Sequence, residues 1–472
     1  MRKLDVLTKQ IVMKQVSPCI YVYMQGCTTH LPRSIMKFPP SELHSAKSSP
    51  QSNASTKKVL VLASTSVLLL AVIPLYLFVT GARLDARSSR ELGIRTGASK
   101  GIERVDRRCD VFRGKWVPYP NGAYYTNVTC PLIIDQHNCL KFGRPDTEFL
   151  NWRWKPDECE LPRFHAGQFL EMARGKSLAF VGDSVGRNQM QSLLCLLAKV
   201  EFPEDISHEY SIDTTYFKRW YFPGHEFTVA TFWAPYLVKS RDADLGGHTF
   251  NSIMSIYLDK PEPSWATEIT NFDFVVISAG QWFFRPLMFY EKGEIVGCCS
   301  CEGSKNNITD LTRFYGYRMA FRTAFRELLS QKAYKGMTFL RTFSPAHFEN
   351  GKWNTGGSCA RTRPFTSGEA NLEGDDLEFY LTQVEEFRAA QREGIKRGLT
   401  FRLLDTTEAM IQRPDGHPNH FGGRLLLKNV TMADCVHWCV PGAIDLWNEF
   451  LFHVMRSETR ESLQGQTHEI AR

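Results

Sequence analysis

Lys176–Leu197 reads KSLAFVGDSVGRNQMQSLLCLL. The apolar run Leu178–Val181 passes through Gly-Asp-Ser into a stretch of helical period, so the segment is a strand, a tight turn and an amphipathic helix. That is the repeating unit of an α/β sheet. The junction sets Ser184 at the carboxyl edge of the strand and turns the free N–H groups of the helix's first turn toward anything bonded to the serine oxygen. These are the needs of an acyl-transfer nucleophile, whose tetrahedral intermediate carries a negative oxygen. Gly-Asp-Ser is equally a turn whose serine caps a helix, so the tripeptide alone does not choose between the two.

The same alternation of short apolar runs and longer amphipathic stretches continues on the C-terminal side. Strands are expected at Phe227–Trp233, Ser252–Leu258, Phe274–Ser278, Thr338–Thr342 and Phe401–Leu404. Helices are expected at Arg187–Ala198, Asp310–Gln331, Asp375–Lys396 and Ala443–Val454. In the third of these, Leu377, Leu381, Val384 and Phe387 keep one face toward a core. Residues 109–175 are rich in cysteine and poor in periodic runs, the composition of a disulfide-tied minor lobe. The stretch from Glu458 is polar and reads as a frayed tail.

On the N-terminal side, Val59–Thr80 (VLVLASTSVLLLAVIPLYLFVT) is 22 residues without a charge, long enough at about 1.5 Å per residue to cross a hydrocarbon core of about 30 Å. It reads as a transmembrane anchor, and it starts too far from Met1 and is too long for a cleaved signal peptide. Residues 1–58 read as a cytosolic tail, with Met36 opening a second candidate start, and 81–108 as a flexible stem without aromatic residues. Flanking charge does not orient the span. Eleven of the thirteen cysteines follow it, as do the sequons at Asn127, Asn307 and Asn429, which points to a body in an oxidising lumen and type II topology.

The formal charge of +7 divides unevenly. Residues 1–58 hold nine basic against two acidic residues and 81–108 eight against four, leaving 40 against 44 in residues 109–472. A slightly acidic body lacks the clustered positive charge that a nucleic-acid partner requires.

A serine nucleophile needs a base and a group to orient it. Near the C-terminus, ADCVHWCVPGAIDLWN places Asp434 and His437 three apart, which brings both side chains to one side of a helix or tight turn. Cys435, His437 and Cys439 also alternate, and Cys298, Cys299 and Cys301 cluster upstream, so metal binding is the competing chemistry. Oxidised cysteines in a secretory compartment and a spacing tighter than structural zinc sites show weigh against it. Trp152 and Trp154 would share a face of an extended strand, suited either to sugar rings or to a core. Trp282 follows a strand and a glycine, where an α/β fold places its site.

From Cys109 to Met455 the chain resembles the plant trichome-birefringence-like polysaccharide O-acetyltransferases. The resemblance rests on CDVFRGKWVP, YYTNVTCP, FGRPDTEFLNWRWKPDEC, FVGDSVGRNQ, RTFSPAHFENGKWNTGGSC, RPDGHP and DCVHWC. It implies an SGNH-hydrolase-like parallel sheet flanked by helices, a minor lobe, a Golgi membrane anchor, and Ser184, His437 and Asp434 as nucleophile, base and partner. It further implies an acyl-serine route from an acetyl donor, acetyl-CoA or another carrier and not a tightly bound cofactor, to a hemicellulose hydroxyl. GRPDTEFLNWRWKP and CLLAKVEFPEDIS resemble the xyloglucan-acetylating subgroup, with glucomannan-acetylating relatives close by. An acetyl-esterase and a non-catalytic glycan-binding wall protein are the alternatives. The chain departs from the esterase pattern at GQW, where Trp282 replaces an oxyanion-donating Asn. The Ser184 N–H is then the first oxyanion donor, with Arg187 and Asn188 as candidates for the second. The resemblance also implies the pairs Cys109–Cys159, Cys130–Cys195, Cys139–Cys439 and Cys359–Cys435, with Cys298–Cys301 as a guess.

Overall fold

The computed structural model describes residues 109–243, 252–301, 308–366, 368–423 and 432–470, with side chains to 459. The anchor expected at Val59–Thr80, the tail and stem around it, and the sequons at Asn307 and Asn429 lie outside these residues. Among the described residues, no helix is long and apolar enough to cross a membrane.

The first element is a hairpin-like pair, β1 (Gly114–Pro118) against β2 (Trp152–Pro156), in which Trp116 faces Trp154. Helix α1 (Ala166–Met172) leads into β3 (Ser177–Gly182) and α2 (Ser184–Leu197). Then follow β4 (Glu204–Asp205), β5 (Arg219–Phe222), β6 (Phe227–Trp233), β7 (Val238–Asp242), β8 (Met254–Pro261) and β9 (Phe274–Ser278). Next come β10 (Leu287–Glu291), β11 (Glu294–Cys299), α3 (Thr312–Ser330), β12 (Met337–Arg341), α4 (Gly374–Lys396), β13 (Phe401–Leu404) and α5 (Asp445–Ile470).

A seven-stranded sheet runs β13-β12-β9-β3-β6-β5-β4, parallel from β13 to β6, with β5 and β4 antiparallel at one edge. Alternate residues of β3 enter different cores. Leu178 and Phe180 pack with residues of α2 and α5, whereas Ala179 and Val181 pack with α3 and α4. Burial on both faces is why the strand is a continuous apolar run and not an alternating one. The product is a sheet between two helical layers, with the first turn of α2 at its carboxyl edge.

Four expectations change in detail. On α4, Val384 and Phe387 are buried as expected, but Leu381 is exposed and Leu377 only half-buried, so the apolar face is narrower than the spacing implies. Helix α2 starts at Ser184, not Arg187, because the Asp183 side chain caps it by accepting the Val185 N–H at 3.0 Å. The strand expected at Ser252–Leu258 is β8, and it belongs to a separate four-stranded sheet ordered β11-β10-β8-β7; its alternate burial fits one covered face. The tail beyond Glu458 continues α5 to Ile470. Residues 109–175 are tied by disulfides yet share a core with the sheet, since Val111, Tyr125 and Trp154 join the cluster of α2 and α5.

Candidate active site

Gly182 ends β3 at φ 153°, and a Cβ built there would lie 1.6 Å from the Ser278 carbonyl oxygen of β9. Only glycine lets the two strand ends close up so that the chain can turn into α2. Asp183 is buried, and burial pushes its carboxyl group up, countered by the Arg341 charge and the capped backbone N–H groups.

Ser184 Oγ lies 2.7 Å from His437 Nε2, and His437 Nδ1 lies 2.8 Å from Asp434 Oδ2. Asp434 Oδ1 accepts the backbone N–H groups of Val436 (3.2 Å) and His437 (3.0 Å). Burial pushes the Asp434 carboxyl up, but the charge and hydrogen bonds of His437 outweigh it and hold the group below the usual carboxylate range. An ionised Asp434 keeps the imidazole proton on Nδ1. The lone pair of Nε2 then faces the serine hydroxyl, the arrangement a general base needs.

Four constraints hold the histidine segment. Asn188 reads both backbone groups of Trp438: its Oδ1 accepts the Trp438 N–H at 2.8 Å and its Nδ2 donates to the Trp438 carbonyl at 3.2 Å. Ser184 and Asn188 are one helical turn apart, so the same helix carries the serine and locates the base. The disulfides Cys139–Cys439 and Cys359–Cys435 bracket His437. Asp434 forms an antiparallel bridge with Asn419. From the other side, His417 Nδ1–H donates to the His437 carbonyl at 2.7 Å, while His417 Nε2 lies 2.7 Å from His347 Nδ1. Burial holds His417 well below the ordinary imidazole range and lowers His347 to about 4.

The remaining pairs are Cys109–Cys159, Cys130–Cys195 and Cys298–Cys301, with Cys299 a buried free thiol. Cys435 and Cys439 therefore carry disulfides in this structure, and the alternating Cys-x-His-x-Cys is a clamp around an imidazole. Among the described residues, no group of three His, Cys, Asp or Glu side chains is arranged to hold a metal ion.

The other candidates separate. Trp154 is 1% exposed and donates its indole N–H to the Val111 carbonyl at 2.9 Å, so it is a core residue and not a sugar platform. Trp152 shares its strand but is only half-buried. Asn188 is fully buried with its amide committed to Trp438, which removes it as an oxyanion donor. Arg187 is half-buried, its guanidinium 5.6 Å from the Trp233 ring centre and 5.7 Å from that of Tyr216. Trp282 meets Trp233 edge to face at 5.4 Å. Gln281 donates to the Ser344 carbonyl at 2.8 Å, so GQW braces the next loop instead of supplying the amide an esterase would. Asn127 sits in a surface turn beside the exposed Val128.

Sequence reasoning missed several neighbours. Trp233 pairs in register with Gly182, and with Tyr216 it adds an aromatic wall beside the start of α2. Gln136 Nε2 donates to Asp434 Oδ2 at 3.3 Å. His137, fully buried and lowered to about 3 mainly by that burial, lies tilted with its ring centre 5.2 Å from that of His437 and donates from Nδ1 to Gln191 at 2.9 Å. The Cys139–Cys439 pairing held the signal for both, because it brings residues 136–138 against residue 437.

A Ser–His–Asp chain at the carboxyl edge of a parallel sheet, with the serine first in a helix, defines an α/β protein of the serine acyl-esterase type. A family profile described as PC-Esterase, a GDSL/SGNH-like acyl-esterase family found in Pmr5 and Cas1p, matches residues 161–454, and a PMR5 N-terminal domain profile matches 107–160. The chain is 49% identical over 369 residues to protein trichome birefringence-like 19 of Arabidopsis thaliana, covering 78% of this chain and 85% of that one. It is 45% identical to xyloglucan O-acetyltransferase 4 of Populus trichocarpa (75% and 82% covered) and 42% identical to xyloglucan O-acetyltransferase 2 of Arabidopsis thaliana (75% and 84%). The chain belongs to the PC-Esterase family, in its trichome-birefringence-like branch.

Proposed function

We propose that this protein is a polysaccharide O-acetyltransferase that acetylates xyloglucan through an acyl-serine intermediate. The observation that carries the chemistry is the continuous hydrogen-bond chain Ser184–His437–Asp434; the substrate rests on the relatives named for xyloglucan. Ser184 Oγ attacks the acetyl carbonyl carbon while His437 Nε2 takes the hydroxyl proton. The tetrahedral oxyanion is met by the Ser184 N–H and by Arg187, one helical turn on. Collapse breaks the bond to the donor, whose leaving group takes the proton from His437. A sugar hydroxyl then gives its proton to His437 and attacks the acetyl-serine, and Ser184 recovers the proton as the sugar ester departs. The aromatic wall of Trp233, Trp282 and Tyr216 supports an acceptor sugar beside the nucleophile.

The description of the family as acyl-esterases favours a second reading, in which water replaces the sugar hydroxyl. Incubation with an acetyl donor and xyloglucan oligosaccharide separates them. Transfer predicts acetylated oligosaccharide, with both product and acetyl-enzyme lost in Ser184→Ala; hydrolysis predicts only acetate whatever glycan is present. The uncharged run Val59–Thr80 supports a Golgi type II anchor with residues 109–456 lumenal, glycans on the sequons, and a membrane-bound enzyme using a diffusible acetyl donor.

A further inference from the structure

The carboxyl edge of the large sheet carries a second opening away from Ser184. A cavity of about 910 Å3 lies past the end of β13, between the β1–β2 pair, the start of α4 and the segment Arg363–Thr366. That volume is toward the upper end of the range of about 300–1,000 Å3 for ligand sites, and more than one sugar ring needs. Trp116 and Trp152 form one wall. The indole N–H of Trp116 donates to the Ala409 carbonyl at 2.7 Å and the Arg413 guanidinium lies 4.3 Å from its ring centre, which together fix the ring; Trp152 is half-buried.

The charged groups around the opening are of both signs, with Arg363 already paired to Glu369 at 3.0 Å. Arg113, Lys115 and Arg363 stand against Asp157, Asp405 and Glu408. Asp405 already accepts from Tyr380 Oη at 2.7 Å and Thr342 Oγ1 at 3.2 Å, while the exposed Glu408 carboxylate has no hydrogen bond or ion pair with a described residue. A cation or an anion entering here meets like charges as well as opposite ones. A neutral polyol does not: its hydroxyls donate to the carboxylates and accept from the cations, and its C–H faces lie on the indoles.

Position supplies the rest. Asp405 directly follows β13 and Ser184 follows β3, on the same edge because these strands are parallel. The order β3-β9-β12-β13 separates them by three strand spacings, about 14 Å at about 4.8 Å each. At that separation one sugar at the serine is too short to reach the cavity, whereas several linked rings have the length. We infer that this cavity is a distal acceptor site, which grips a neutral glycan chain several residues from the one whose hydroxyl meets Ser184. The inference rests on the polysaccharide reading above.

Equilibrium binding to the full-length chain, with no acetyl donor present, tests it independently of turnover. Affinity for unacetylated xyloglucan oligosaccharides is expected to rise with length until the chain spans both sites. Trp152→Ala and Glu408→Gln should each weaken the long oligosaccharide by roughly tenfold and weaken a disaccharide far less. Glu408 is exposed, so its replacement does not put folding at risk. Affinity independent of length, loss for short and long ligands alike, wild-type affinity in both variants, no binding of the long oligosaccharide, or preference for an acidic galacturonan of equal length each overturns the inference. Failure of the acetyltransferase reading would show separately, as absent transfer from donor with length-dependent binding intact.

Discussion

Replacing Asp434 by Asn tests the triad without changing its shape. In the native site Oδ1 accepts two backbone N–H groups, from Val436 and His437, and Oδ2 faces His437 Nδ1 at 2.8 Å. An Asn at this position must keep its carbonyl oxygen toward the two backbone donors, because turning it would set an NH2 against two N–H groups. Its NH2 then faces Nδ1, which has to become the acceptor, and the imidazole proton moves to Nε2. That proton points at Ser184 Oγ, so the ring can no longer take the hydroxyl proton. Loss of the correct tautomer and of the charge that stabilises the imidazolium should slow acylation by about 10⁴-fold, or about 5 kcal/mol of barrier. The readout is acetyl-enzyme formation by intact mass at timed intervals, alongside transfer to oligosaccharide, with circular dichroism to check the fold. Acylation by Asp434→Asn within about tenfold of wild type would refute the claim that Asp434 sets the tautomer of a catalytic base.

Two further predictions concern the frame. Gly182→Ala places a Cβ against the Ser278 carbonyl at a backbone angle L-residues rarely adopt, so it should destabilise by several kcal/mol and give little folded protein; a soluble variant with wild-type melting temperature and activity would show that the two strand ends need not meet. Glu449 is buried against Tyr124, and burial raises it to about 7. A carboxyl raised on folding binds its proton more tightly in the native state, so its contribution is fully present at low pH and is lost as pH climbs from the ordinary Glu range through about 7. Glu449→Gln should therefore gain melting temperature relative to wild type between pH 5 and pH 8, and a difference independent of pH would contradict the assignment.

The strand–turn–helix around Ser184 was legible because it is local: apolar run, glycine, cap and amphipathic helix are neighbours in the chain, and each acts through its own backbone preference. The same holds for Asp434 and His437, three residues apart, and for the continuous apolar strands of a sheet covered on both faces. That the two segments meet is not local. Ser184 and His437 are 253 residues apart, and their contact depends on Asn188 holding the Trp438 backbone and on the disulfides at Cys435 and Cys439, which no periodicity displays. Two tryptophans one residue apart on the same strand read alike in sequence, yet Trp154 is sealed by the packing of Val111 and α5 while Trp152 at the strand's start opens on the cavity. Asn188 and Arg187 likewise stood as equal candidates beside the serine until the fold set one amide against a buried backbone and left the guanidinium among aromatic rings. Residue type and spacing determined which groups could do chemistry; tertiary packing decided which of them face the site, because side-chain direction and burial depend on neighbours brought from distant parts of the chain.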